Sequence, residues 1–292
     1  TWLTFIDPSV DLAYFEKSSS NLVIVHYSDQ LSSSNHYDAI TVTDKSPQYF
    51  RVIEEFLATH GVKVQPHMMA TIIQAFNTFN GEWLLRAVQN RGHDQREKMS
   101  IVAAIKHVLL RFEQPNVRWV PISMEEIVRV TGNVGLKKAD GLFSGKTIGR
   151  KGNCSDDLLL IGVEETATAP KVYLLPVEVK IGQNASGVID KGISQVKELN
   201  VRLNEYLNND SFDAKFLRNF FMRMYITNAH KMVLNDIWPE KDYELSERLK
   251  EQLLNDEFIL SDDLRAELGE GAVMSFKKDL VEETTERQSG VM

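Results

Sequence analysis

In VYLLPVEVK, residues 172–180, Glu178 and Lys180 stand two apart within an otherwise apolar run, and SDDLLLIGV places Asp156 and Asp157 just before a second apolar run. If both runs are strands, Glu178 and Lys180 project from one face of theirs, with Val177 and Val179 on the other. The segment between the runs, EETATAP, is polar, ends in Pro and reads as the turn of an antiparallel hairpin buried on both faces. With that turn centred near Thr168, residues whose numbers sum to about 336 face each other, which sets Asp157 opposite the Glu178 region. Two carboxylates and a lysine then meet at one end of an apolar sheet.

Two carboxylates in such a setting do not both stay ionised without a strong counter-charge, because like charges at close range raise one pKa sharply. A divalent cation, Mg²⁺ or Mn²⁺, resolves the conflict. Such ions take carboxylate and backbone oxygens, retain waters and bridge to phosphate, so Asp157, Glu178 and the carbonyl of Val179 make a sensible ligand set. The chemistry this offers is hydrolysis of a phosphodiester by an activated water. Lys180 would orient or help deprotonate that water, or stabilise the developing negative charge. Asp156 is the adjacent alternative to Asp157.

The hairpin needs a helix to cover it, and residues 187–207 supply one, with Val188, Gln195, Leu199 and Leu203 on one stripe. A glutamine on an apolar stripe needs a partner. Gln195 either holds Lys180 or a phosphate, or reaches water at the edge of the stripe. Ahead of the hairpin, VRWVPI reads as a strand and SMEEIVRV as a helix start with Ser123 as N-cap and Glu126 three residues on. From Arg129 to Lys151 the chain carries Arg129, Lys137, Lys138, Lys146, Arg150 and Lys151 against Asp140. That loop fits phosphate binding, with Lys137, Lys138, Lys146, Arg150 and Lys151 as DNA contacts; it equally fits a solvated basic loop.

Further out, WLTFI, NLVIVHY and AITVT read as strands and PQYFRVIEEFLATHG as a helix, forming a small α/β unit over 1–62. Helical spacing dominates from His67 to Phe112, and a core region covers 63–230. The remainder, 231–292, reads as a helical extension, including YELSERLKEQLL, with a late strand in AVMSFKK and a mobile charged tail, VEETTERQSG. The fold class is therefore α/β: a mixed central sheet flanked by helices near 96–112 and 187–207, with the small N-terminal unit and helical C-terminal additions.

Composition sets outer bounds. The 292 residues are 43% hydrophobic and 25% charged, the make-up of a globular protein with a sizeable core. No apolar run approaches the roughly twenty residues that a membrane-crossing helix needs. The opening TWLTFIDPSVDL lacks the basic flank and cleavage site of a signal peptide, so no membrane partner and a cytoplasmic location are expected. Starting at Thr1 on apolar residues, the chain reads as a piece of a longer polypeptide. The single cysteine, Cys154, excludes an internal disulfide and a thiolate-rich zinc site. A net charge of −8 argues against a general duplex binder, and the local basic loop softens that objection. GLFSGKT is not a phosphate-binding P-loop, because the position where that pattern needs its first Gly is Asp140.

An acid ahead of a strand, ExK at the end of the next, and a helix bearing Gln, seen here in SDDLLLIG, LLPVEVKIG and KGISQVKEL, together resemble the PD-(D/E)xK nuclease superfamily. The downstream glutamine matches its RecB-like branch. The resemblance implies a restriction-endonuclease-like core, Mg²⁺- or Mn²⁺-dependent cleavage of DNA, and catalytic roles for Asp157, Glu178, Lys180 and Gln195. It also implies an acid on the helix before the sheet. Glu97, opening REKMSIVAAIKHVLLRF, fits that place, with Glu125 and Glu126 as alternatives nearer the strands. More narrowly, TFIDPSVDLAYF, VPISMEEIVRV, KKADGLFSGK, CSDDLLLIGV and PVEVKIGQN are similar to the large restriction proteins of DNA phosphorothioation systems. That likeness implies an ATPase part elsewhere in the same longer chain, further subunits of a restriction complex, and DNA lacking the host's sulfur modification as the target. A nuclease fold without activity, serving as a DNA-binding or assembly module, is the competing expectation.

Overall fold

The computed structural model describes residues 2–5, 23–27, 39–59, 63, 65–89, 93–124, 158–277 and 284–292. It falls into two compact units, one comprising residues 1–102 and 231–241 and the other residues 103–230 and 242–292.

In the first unit, β1 (Trp2–Phe5), β2 (Val23–Tyr27) and β3 (Ala39–Thr43) form an antiparallel sheet in the order β1-β3-β2. The helix α1 (Ser46–Thr59) follows and buries Tyr49, Val52 and Ile53 on one face, the spacing an amphipathic helix requires. Next, α2 (Pro66–Gln89) is kinked at Asn80, whose φ of −166° and ψ of 102° are strand-like. Asn77, on the turn before the kink, donates from Nδ2 to the carbonyl of Ile24 at 2.6 Å and so ties α2 to β2. α3 (His93–Arg111) begins in this unit and continues into the second.

The second unit is built on a mixed sheet. β4 (Val117–Ser123), β5 (Leu158–Glu164) and β6 (Lys171–Gly182) make an antiparallel meander. The far edge of β6 then takes two parallel neighbours, β7 (Ile259–Leu260) against Lys171–Val172 and β8 (Ala272–Lys277) against Val177–Gly182. Pro176 falls in the gap between those two pairings, a position that tolerates a residue without an N–H donor. A parallel neighbour demands a long crossover. It is supplied by α4 (Ser186–Leu207), α5 (Phe212–Leu234), α6 (Glu247–Leu254) and the short α7 (Arg265–Leu268). α4 packs on the face of β6 that bears the even-numbered residues, burying Ile193 and Val196 beside Val273. α3 reaches the opposite face, where His107 meets Phe276 edge-on at 6.4 Å. The chain is thus α/β, with a mixed sheet flanked by helices.

Three local expectations are corrected. Val188 is 39% exposed; the buried positions of α4 are Gly192, Ile193, Val196, Leu199, Leu203 and Leu207, and in the first turn it is Ile189, one position on, that packs against Ile193 and Val196. In YELSERLKEQLL only Glu247–Leu254 is helical, since Ser246 caps it by accepting from the Leu249 amide at 3.2 Å. The charged tail VEETTERQSG, expected to be mobile, is held at its end: Arg287 donates to Ala266 O at 2.8 Å and to Arg265 O at 3.1 Å, the Gly290 carbonyl accepts from Glu270 N at 2.8 Å, and just beyond it Val291 is buried against Ile193 and Val196.

Candidate active site

The hairpin register pairs Leu158 with Val177, so numbers of facing residues sum to one less than the sequence suggests, and β6 runs on past Leu158, the first described residue of β5. From Glu178 onward, among the described residues, the strand beside β6 is β8, with Glu178 opposite Val273, Val179 opposite Met274 and Lys180 opposite Ser275. Alternation along β6 puts Glu178 and Lys180 on the face that α4 covers.

On that face the two charges find each other and the helix. Lys180 Nζ donates to Glu178 Oε1 and, at 2.8 Å, to Gln195 Oε1. Glu178 is only 3% exposed, while the Lys180 side chain keeps 18% exposure. The second carboxylate oxygen, Glu178 Oε2, is buried and has no hydrogen-bond partner among the described residues. Leaving a buried acceptor unmade costs on the order of 1–3 kcal/mol, more when it is charged. This oxygen is therefore the one incomplete feature of the cluster.

The exit from β6 is locked by the Asn184 side chain. Gly182 has φ of 131° and Asn184 has φ of 44°, left-handed values that Gly and Asn adopt at least cost. Asn184 Nδ2 donates to Lys180 O at 3.1 Å, Ser275 Oγ at 2.9 Å and Phe276 O at 3.3 Å, so one side chain clips the ends of β6 and β8 together next to Lys180. Neither Asn184 nor this clip was singled out by sequence reasoning. Its only signal was an Asn in the polar stretch GQNASG, which reads as a turn.

The other candidate residues fall as follows. Glu97 lies on α3 in the first unit, not in its opening turn, and pairs with Lys98 Nζ at 2.9 Å; that ammonium sits 5.5 Å from the centroid of the Trp83 ring. Glu178, Lys180 and Gln195 are brought together within the second unit alone. Asp157, Asp156, Cys154, Glu125 and Glu126, and the basic residues Arg129, Lys137, Lys138, Lys146, Arg150 and Lys151, lie outside the described residues. Val179, proposed to lend its carbonyl, is on β6 between Glu178 and Lys180 with its side chain buried on the opposite face.

The residues present fit a divalent cation at one ligand position, the bare Oε2 of Glu178, which is the hard oxygen donor such ions take. No group of three or more His, Cys, Asp or Glu residues able to hold a metal occurs among the described residues. Further ligands would come from backbone oxygen, water or the stretch that contains Asp157. No helix among the described residues is long and apolar enough to cross a membrane. Compared with known proteins, the chain matches no family model, no curated protein and no solved structure.

Proposed function

We propose that the chain is the metal-dependent nuclease part of a cytoplasmic host-defence restriction system, hydrolysing phosphodiester bonds of DNA that lacks the host's phosphorothioate modification. The observation that carries this reading is the buried Oε2 of Glu178, without a hydrogen-bond partner among the described residues, beside a lysine held by Gln195. The helix, three-strand meander, helix and parallel strand formed by α3, β4 to β6, α4 and β8 accord with the restriction-endonuclease-like core that the sequence resembles. Glu178, with Asp157 and the Val179 carbonyl, would hold Mg²⁺ or Mn²⁺; Asp157 would face Glu178 if the described register continued one residue beyond Leu158. When bound, the cation supplies Lewis acidity toward a phosphoryl oxygen and an acidified water. Lys180, oriented by Gln195, presents an ammonium where negative charge develops on the phosphate. The basic stretch from Lys137 to Lys151 would contact the DNA backbone, and an ATPase part with other complex subunits would deliver the substrate.

One observation favours the alternative, an inactive nuclease fold serving DNA binding or assembly: Lys180 already neutralises Glu178 through Oε1. Cleavage separates the two. Plasmid DNA with and without phosphorothioates is incubated with the protein, alone and in its native complex, with Mg²⁺, Mn²⁺ or chelator, alongside Asp157→Ala, Glu178→Gln and Lys180→Ala. The nuclease reading expects metal-dependent cutting of unmodified DNA by wild type and none by the folded variants. Variants as active as wild type, or a wild type that binds DNA in its complex and never cuts it, would sink that reading.

A further inference from the structure

Gly192 lies one turn before Gln195 on α4, facing the same two strands. A Cβ built on Gly192 would stand 3.1 and 3.2 Å from the two methyls of Val273 and 3.5 Å from Cε of Lys180. The first two distances are closer than ordinary carbon–carbon contact, so even a methyl requires α4 or Val273 to give way. Gly187, in the first turn of the same helix, has nothing among the described residues within 4 Å of its built Cβ; the crowding is local to Gly192. The stem of Lys180 passes over this bare patch and its ammonium ends on Gln195 Oε1, 2.8 Å away. A helix-interior glycine weakens a helix relative to alanine, so its presence here calls for a reason in packing.

We propose that Gly192 is a positioning residue: the missing side chain sets the spacing between α4 and the β6–β8 pair at which Gln195 can hold Lys180. The proposal rests on reading Glu178, Lys180 and Gln195 as the reacting centre. Gly192 touches no reacting atom and acts through Lys180 and Gln195. A methyl there pushes α4 away by a few tenths of an ångström and lengthens the Lys180–Gln195 hydrogen bond; a leucine breaks it. Because small misplacements of a catalytic group are costly, a roughly tenfold fall in kcat is expected for Gly192→Ala and about a hundredfold fall for Gly192→Leu, with KM little changed.

The test combines crystal structures, thermal melts and DNA-cleavage kinetics of wild type, Gly192→Ala, Gly192→Leu, Val273→Ala and the Gly192→Ala/Val273→Ala double variant. The expected result has a Tm for Gly192→Ala no lower than wild type, since alanine favours the helix, together with a longer Lys180–Gln195 separation and reduced kcat. Val273→Ala in the same chain removes the clash and restores both. Should Gly192→Leu fail to fold, the alanine series decides alone. Gly192→Ala with the wild-type separation, or with a lengthened bond and undiminished cutting, overturns the proposal while the nuclease reading stands. If the separation lengthens and recovers as stated but no form of the protein cuts DNA, Gly192 sets the spacing and it is the nuclease reading that fails.

Discussion

Lys180 bridges a strand and a helix: its ammonium is shared between Glu178, two residues back on β6, and Gln195 on α4 at 2.8 Å. The bridge is asymmetric, because Glu178 is 3% exposed and has a second oxygen with no partner among the described residues. A buried ion pair adds little net stability over an apolar pair of the same shape, yet removing one partner strands the other charge. The Lys180–Glu178 pair thus adds modest net stability while each charge depends on the other, and its energetics are open to measurement by unfolding alone.

Lys180→Met should therefore destabilise the protein by about 3–5 kcal/mol, since it leaves the Glu178 carboxylate buried without its cation. The double variant Lys180→Met/Glu178→Gln should recover most of that loss. Urea denaturation of the two single variants and the double gives the coupling directly. A loss below about 1 kcal/mol for Lys180→Met would mean that the pair behaves like an exposed salt bridge and that Glu178 is compensated in another way.

A second consequence of packing lies in the hairpin. Gly162 of β5 is paired with Trp119 of β4, and a Cβ added to Gly162 would sit 2.6 to 2.8 Å from three carbons of the Trp119 ring, which is 3% exposed. The ring cannot move away freely, because Tyr173 of β6 lies 6.1 Å from it on the same face. Gly162→Ala should cost about 1–3 kcal/mol by overpacking, and Trp119→Leu in that background should cost less than the same substitution in wild type. Equal costs of Trp119→Leu in both backgrounds, measured by chemical denaturation, would show that the sheet absorbs the added methyl in some other direction.

What the sequence disclosed, and what it withheld, follows the range of the interactions. The hairpin was legible because two apolar runs flank a polar, Pro-ended turn; its register came within one residue because a turn position fixes both strands at once. Gln195 was legible as a polar residue on an apolar helical stripe, and its partner is the lysine expected. Val188 was assigned to the stripe by periodicity, but periodicity does not fix which of two adjacent apolar residues the first turn packs inward, and Ile189 takes that place. The parallel pairing of β8 with β6, the Asn184 clip and the docking of Val291 depend on residues about a hundred positions apart, for which no local pattern exists. Glu97 carried a local signal for a first-turn acid, yet Lys98 beside it is 4% exposed and takes it as an ion-pair partner, a consequence of burial that charge pattern alone does not reveal.

Stability should fall steeply in alkali, for reasons set by three tyrosines of the second unit. The Tyr173 hydroxyl donates to Glu164 Oε2 at 2.6 Å, Tyr225 to the Arg118 carbonyl at 3.3 Å and Tyr243 to the Trp119 carbonyl at 3.1 Å. Each bond needs the phenolic proton. Burial, reinforced by the hydrogen bond to Glu164, pushes Tyr173 up to about 12, and burial raises Tyr225 and Tyr243 as well. A folded-state pKa above the unfolded value of 10.0 means that the folded chain keeps protons the unfolded chain releases. Below that pH the stabilisation is fully present; as pH rises toward the folded values it is lost, at roughly 1.4 kcal/mol per pH unit for each tyrosine still protonated. Urea midpoints measured across this range, with phenolate absorbance followed in parallel, should show stability falling as pH rises past the unfolded-chain value while these three ionise only on unfolding. Tyr243→Phe removes one of the protons at issue and should flatten the slope by about a third, at the cost of one buried hydrogen bond. An unchanged slope in that variant would mean that Tyr243 ionises in the folded protein as readily as in the unfolded chain.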